Sequence, residues 1–266
     1  APGTATFSQK LDMRRGEMRV TYEDGTTLLV WVDANNDVIH VEADCASPKT
    51  LTIAHDFTRT VNAPDVILDR TEEHKIMWYH RNPSGVDSYI KDRTFGGLVK
   101  GPGLTSSNAT TLTSSAGTSH RVSVYTRTTR DISAAQWETE LEAQAAEIDA
   151  VDYVTSYANH LAWWQNFWDK SYIFVSGDDE AEMVSKGYAY CRFMVACEGR
   201  GAYPIKFNGG LFNVGGQLSR PDGVNDTVYS NPDQRRWGGK YWWQNTRHLY
   251  WPLSLSGDYD MMMTLF

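Results

Sequence analysis

The sequence predicts an α+β, multidomain chain in which an antiparallel β-sandwich is followed by helices, and two changes of pattern carry that prediction. Up to about residue 130, short runs of alternating apolar and polar residues are separated by turn signals, with no helical period between them. Near residue 131 the apolar period changes from two to about 3.6 and stays helical in the segments that follow.

Strands are expected at residues 18–22 and 27–32, flanking the Asp24-Gly25 pair, whose tolerance of positive φ makes a hairpin turn. The turn Asn35-Asn36-Asp37 precedes a strand at 38–42. Further strands are expected at 50–54, 76–80, 89–91 and 121–127, joined by Gly, Pro, Ser and Asn-rich connections such as 101–117. Many short strands without intervening helices indicate a sandwich.

The first helix is placed by Trp137, Leu141, Ala145 and Ile148, which fall on one face. Ser133 with Gln136 three positions on forms a capping-box pattern, and Glu138, Glu140 and Glu142 put negative charge where the helix dipole favours it. A second helix is expected at 151–170, with His160, Trp163, Trp164, Phe167 and Trp168. A third, at 180–198, stops at Gly199. A fourth, at 241–255, should be ended or kinked by Pro252, and Asp258 is placed as the cap of a last helix at 259–266. The expected division is a sandwich over residues 1–130, a helical linker over 131–170 and a helical domain over 171–266.

Formal net charge is −8 with the basic residues scattered, so no electrostatic footprint for nucleic acid is present. The chain has no run of 18 apolar residues, and hence no membrane-spanning helix is expected. Cys45, Cys191 and Cys197 cannot all pair and have no metal-site spacing; buried free thiols are expected, with no metal and no cofactor. The Ala1-Pro2-Gly3 start reads as a processed or recombinant one, compatible with secretion. Ten Trp and fourteen Tyr are present, and seven of the Trp lie between residues 163 and 251. Such aromatics pack cores when buried and stack on sugar rings when exposed.

Functional-looking residues concentrate in three segments, 203–212, 232–239 and 242–248. Loops rich in Gly, Asn, Arg and Trp allow a ligand to approach the backbone closely. Asp233, beside Arg235 and Arg236, is the candidate acid/base or sugar-binding carboxylate, and reads equally as one member of a structural ion pair. Asn208 before Gly209-Gly210 binds a sugar hydroxyl or shapes a turn. Arg235, Arg236 and Arg247 suit a uronate carboxylate or sulfate, or tie helices to loops. His248 is a candidate acid or base, or a structural histidine. Trp237, Trp242 and Trp243 are candidate stacking platforms; the latter two point about 100° apart on a helix, so at most one is expected to face a site.

The motifs His160-x-x-Trp163-Trp164-x-x-Phe167-Trp168, Phe207-Asn208-Gly209-Gly210-Leu211-Phe212 and Trp242-Trp243-Gln244-Asn245 followed by Tyr250-Trp251-Pro252 occur in that order. Over residues 157–266 the chain resembles a bacterial family designated domain of unknown function 5703, related to six-hairpin glycosidases including the family 95 α-L-fucosidases and L-galactosidases. The resemblance implies that residues 171–266 are the first helices of an (α/α)6 barrel. In the fucosidases an Asn-x-Asn pair before Tyr-Trp-Pro positions the sugar and the attacking water of an inverting hydrolysis. Here Asn245 keeps the second position, while Trp243, which accepts no hydrogen bond, takes the first. The family's general acid lies further along the barrel, beyond the residues present.

The resulting expectation is an inverting glycoside hydrolase acting on extracellular carbohydrate, secreted or periplasmic in a bacterium. Asn245 and Asp233 are its catalytic candidates, and Asn208, Arg235, Arg236, Trp237, Trp243, Arg247 and His248 its substrate-binding ones. Two helical hairpins leave apolar faces uncovered, so the remainder of a longer polypeptide or another chain is expected to complete the barrel. Two alternatives stand beside it: an α/α-barrel polysaccharide lyase using Arg235, Arg236, Tyr241 and His248, and a non-catalytic glycan-binding protein.

Overall fold

The computed structural model describes residues 6–56, 63–86, 90–205 and 243–266. The chain forms two compact units, Ala1–Gln165 and Asn166–Phe266.

The first unit holds eleven strands among its described residues: β1 (Phe7–Asp12), β2 (Glu17–Tyr22), β3 (Thr27–Val32), β4 (Val38–Lys49), β5 (Thr52–Ala54), β6 (Val66–Leu68), β7 (Ile76–Arg81), β8 (Thr94–Lys100), β9 (Leu104–Asn108), β10 (Thr111–Ser114) and β11 (Gly117–Thr129). Every pairing is antiparallel. They build an eight-stranded sheet in the order β1-β2-β3-β4-β11-β8-β7-β6 and a three-stranded sheet in the order β5-β10-β9. The β2–β3 hairpin turns at Gly25, whose φ of +79° is the left-handed geometry that only glycine adopts cheaply.

Strand alternation sends neighbouring residues to opposite faces of the large sheet. Met77, Leu98 and Tyr125 join the α1 side chains in one buried cluster, while Ile76, Val99 and Val122 join Leu104 and Leu112 of the small sheet in another. Both faces are therefore covered, which is why β7 and β8 read as continuous apolar runs. The expected strand at 89–91 is corrected: Ile90 and Lys91 lie in a turn before Asp92, which has φ +56°. The connection expected at 101–117 instead contains β9 and β10.

Helix α1 (Ala134–Asp149) begins where Ser133 Oγ accepts the Gln136 N–H at 3.1 Å. The reciprocal half of the capping box is missing, because the Gln136 amide donates to Glu140 instead. Trp137, Leu141, Ala145 and Ile148 are all buried against the sheet, each contributing about 1.5–3 kcal/mol where a large side chain is removed from water. Helix α2 (Tyr153–Lys170) starts at Asp152, whose carboxylate accepts the Thr155 N–H at 3.0 Å.

The second unit contains α3 (Asp179–Glu198), capped by Asp178 through the Ala181 N–H at 3.1 Å, then α4 (Trp243–Ser256) and α5 (Tyr259–Met262). Phe167, Val195, Ala196, Ile205, Tyr250, Leu253 and Met261 are buried. Pro252 sits inside α4 without ending it, since only one turn of helix follows. No helix among the described residues is long and apolar enough to cross a membrane. The cysteines are free; Cys45 and Cys191 are half-buried, and Cys197 is exposed, against the expectation of burial.

Candidate functional site

Helix α4 carries the described part of the predicted site. Thr246, Tyr250 and Leu253 form its buried side. Tyr250 anchors that side: its hydroxyl accepts the Ile205 N–H at 2.7 Å and shares a 3.0 Å hydrogen bond with Thr264. The Tyr-Trp-Pro motif thus begins with a packing residue.

An adjacent, solvent-facing stripe, about 90° round the helix from the buried side, follows from helical spacing, because residues four apart stack one above another. Trp243, Arg247 and Trp251 occupy that stripe. Trp243 is 61% exposed and Trp251 55%, and the Arg247 guanidinium lies 5.6 Å from the Trp251 ring centre. His248 is exposed and meets Trp251 edge to face, with centroids 4.8 Å apart. The two indoles are separated by about 12 Å along the axis. Two aromatic faces, a fixed cation and an imidazole make a surface suited to flat, hydroxyl-rich ligands. The prediction named Trp243, Arg247 and His248 but not Trp251, although the four-residue spacing from Arg247 was legible.

Asn245 lies in the first turn of α4. Asn208, Asp233, Arg235, Arg236 and Trp237, with Trp242 and Tyr241, lie outside the described residues.

Asp258, placed as a helix cap by its position, has another role. Its side chain makes no capping bond to α5. Instead Arg192 donates to Asp258 Oδ2 at 2.7 Å and to the Phe167 carbonyl at 2.8 Å, Ser256 donates to the same carboxylate oxygen, and Lys170 stands 3.4 Å from the other. Arg192 and Asp258 are 2% and 1% exposed, so this pair ties the end of α2, α3 and the α4–α5 turn together and is unavailable for acid/base work.

The aromatic motif on α2 is likewise structural. His160 is fully buried; its Nδ1 accepts the Ala34 N–H at 3.1 Å and its Nε2 donates to the Arg15 carbonyl at 2.7 Å. That arrangement requires neutral imidazole, and burial pushes its pKa down. Trp31 packs against His40, Tyr153, Tyr157 and His160, while Tyr157 donates to Glu17 and accepts from Arg15 at 2.7 Å. Trp164 is buried over Gly16, where an added Cβ would sit 1.9 Å from the indole nitrogen.

Sequence reasoning missed two cavities of the first unit. One, of about 470 Å³, is lined by His40, Lys100, Arg121, Asp149 and Ser156 among others. The other, about 400 Å³, lies beside the buried His80–Asp65 pair, whose Nδ1 and Oδ1 are 2.9 Å apart, with His55 edge-on to Trp78 at 4.6 Å. Their residues come together only in the tertiary fold. Among the described residues, no group of three or more His, Cys, Asp or Glu side chains is placed to hold a metal ion.

The chain is similar in fold to a candidate kojibiose phosphorylase from the human microbiome, with a TM-score of 0.51 at 12% identity over 77% of this chain. It spans 31% of that protein's length. No curated protein matches the sequence. The N-terminal model of a family described as domain of unknown function (DUF5703) matches residues 2–66 and 84–173. This match runs through the sandwich into α2, whereas the motifs had placed the strongest resemblance at 157–266. It covers more than half of the chain, and the protein belongs to the DUF5703 family.

Proposed function

We propose that this chain is the N-terminal part of a carbohydrate-active enzyme, an inverting glycoside hydrolase acting on extracellular oligosaccharide or polysaccharide in a bacterium that secretes it. The observation that carries the reading is the exposed Trp243-Arg247-Trp251 stripe of α4 with His248 beside it. Exposed aromatics in register with hydrogen-bond donors are the chemistry of sugar recognition. Membership of the family, and a fold like that of a protein named as acting on a disaccharide, support it.

In this reading Asn245 orients the sugar or the attacking water and Asp233 supplies a carboxylate. Asn208, Arg235, Arg236, Trp237, Trp243, Arg247 and His248 hold the substrate. Hydrolysis with inversion needs a second carboxylate across the glycosidic bond. Asp258 is committed to Arg192 and does not supply that group.

The test is to incubate the chain, alone and within its complete gene product, with a panel of neutral and acidic oligosaccharides, with and without inorganic phosphate. New reducing ends with inverted configuration support the hydrolase. A sugar 1-phosphate formed only with phosphate makes the enzyme a phosphorylase, and an unsaturated product makes it a lyase. Binding without any product leaves a glycan-binding protein, the second reading, which the commitment of Asp258 favours. Replacing Trp243 and Trp251 by Ala should weaken binding at least tenfold; unchanged binding removes α4 from the site.

A further inference from the structure

We infer that the sandwich unit carries a second, non-catalytic saccharide subsite, the 470 Å³ cavity between β4, β8, β11 and the α1–α2 connection, which takes a neutral mono- or disaccharide. Its volume falls within the range of small-ligand pockets, roughly 300–1,000 Å³. All of its lining residues belong to the first unit, so the site is independent of α4.

One buried atom of the wall, His40 Nε2, lacks the partner that buried polar groups normally have, and Ser156 and Arg121 line the cavity beside it. Ser156, on the first turn of α2, is 7% exposed and lines the cavity. His40 is 4% exposed; its Nδ1 is 2.9 Å from Ser123 Oγ, while its Nε2 is unpaired. Arg121 lies 4.6 Å over the Tyr153 ring and has no carboxylate within 4.0 Å among the described residues.

The surrounding groups hold this wall in place. Tyr125 donates to Asp149, which also pairs with Lys100, and Tyr153 donates to Glu42. A cavity whose donors are fixed before binding loses little entropy on taking a ligand.

Charge selects the ligand class. Lys75, Lys100 and Arg121 are balanced by Glu73, Asp149 and Asp152, so the lining attracts neither a polyanion nor a cation. Donors and acceptors side by side, without net charge, suit hydroxyl groups, each of which donates and accepts. The inference shares the ligand class with the proposed function but uses different residues.

The experiment is calorimetric titration of the whole chain with disaccharides of glucose, galactose, mannose and fucose, and with digalacturonate as the anionic control. At least one neutral disaccharide should bind, and Arg121→Met and Ser156→Ala should each weaken it about tenfold. Titrated in the Trp243→Ala/Trp251→Ala background, which removes the α4 contribution, a neutral disaccharide should still bind and the two cavity variants should still weaken it. Near-UV circular dichroism checks the fold; Ser156→Ala, which removes one oxygen from a helix, decides the matter if Arg121→Met unfolds. Affinity lost in the α4 variant and kept in both cavity variants overturns the subsite while leaving the proposed function standing. Binding of digalacturonate alone, or of nothing in the panel, overturns it as well.

Discussion

In the first unit the buried polar residues work in neutral or shared networks: His160 joins two backbone groups, Tyr157 bridges Arg15 and Glu17, and Tyr153 links Trp31 to Glu42. Two separate apolar clusters lie on the two faces of the large sheet. The second unit is built differently. At its centre is an ion pair, Arg192 with Asp258, and large apolar side chains such as Leu255 at 91% and Phe174 at 81% are exposed. The contrast teaches how each unit handles its buried polar groups: in neutral or shared networks in one, and in a buried charged pair beside apolar packing in the other.

The largest expected effect tests that charged pair. Arg192→Met removes the cation and leaves the Asp258 carboxylate buried with only Ser256 and Lys170, at a cost of about 3–5 kcal/mol. Chemical denaturation should show the helical unit unfolding early while the sandwich transition stays in place. A common shift of both transitions breaks the comparison.

In the sandwich, the corresponding weak point is a glycine. Gly16 has φ +59°, and an added Cβ meets the Trp164 indole. Gly16→Ala should cost about 2–4 kcal/mol, from the left-handed backbone and the displaced ring together. Near-UV circular dichroism should report the moved tryptophan; an unchanged spectrum and melting temperature would remove Trp164 from the anchor.

Much of the sandwich and the α1 stripe was legible because local rules decide them. Asp24-Gly25 turns the hairpin, Ser133 starts α1, and Trp137, Leu141, Ala145 and Ile148 reach the core their spacing assigns. The Ser- and Thr-rich run at 104–114 was not legible. It becomes strand through pairing with β5, with Leu104 and Leu112 as its buried contributions. Ile90 and Lys91 show the converse, strand-like composition overridden by the turn at Asp92. Asp258 fitted a cap by position, yet its partner is Arg192, 66 residues earlier. At the candidate site, the helical spacing of Trp243, Arg247 and Trp251 was readable. The grouping of His40, Arg121 and Ser156 was not, since β4, β11 and α2 meet only in the fold.

The histidines sharpen the contrast through pH. Burial lowers His40 from its ordinary 6.5 to about 4, and lowers His160 as well. Between those values the unfolded chain binds protons that the native sandwich refuses, so stability is full above pH 6.5 and is lost as pH falls toward 4. For His40 the loss is on the order of 2 kcal/mol after allowing for screening. Among the described residues the helical unit has one histidine, His248, which is exposed. Urea unfolding at pH 7 and pH 5 should therefore move the sandwich transition more than the helical one. His40→Gln should flatten that dependence; an equal slope in the variant assigns it elsewhere.

The smallest effect concerns the cap at the start of α1. Ser133 Oγ satisfies one of the helix's first four N–H groups, the one on Gln136, and the second half of the capping box is absent. Ser133→Ala should thus cost about 1 kcal/mol, and Ser133→Asp should restore it, since a carboxylate accepts the same N–H and suits the dipole. The loss should appear in the sandwich transition, because α1 buries Trp137 and Leu141 against that sheet. If it appeared in the helical unit instead, α1 would fold with the helices, and the boundary between the two stability regimes would lie before residue 134 rather than within α2.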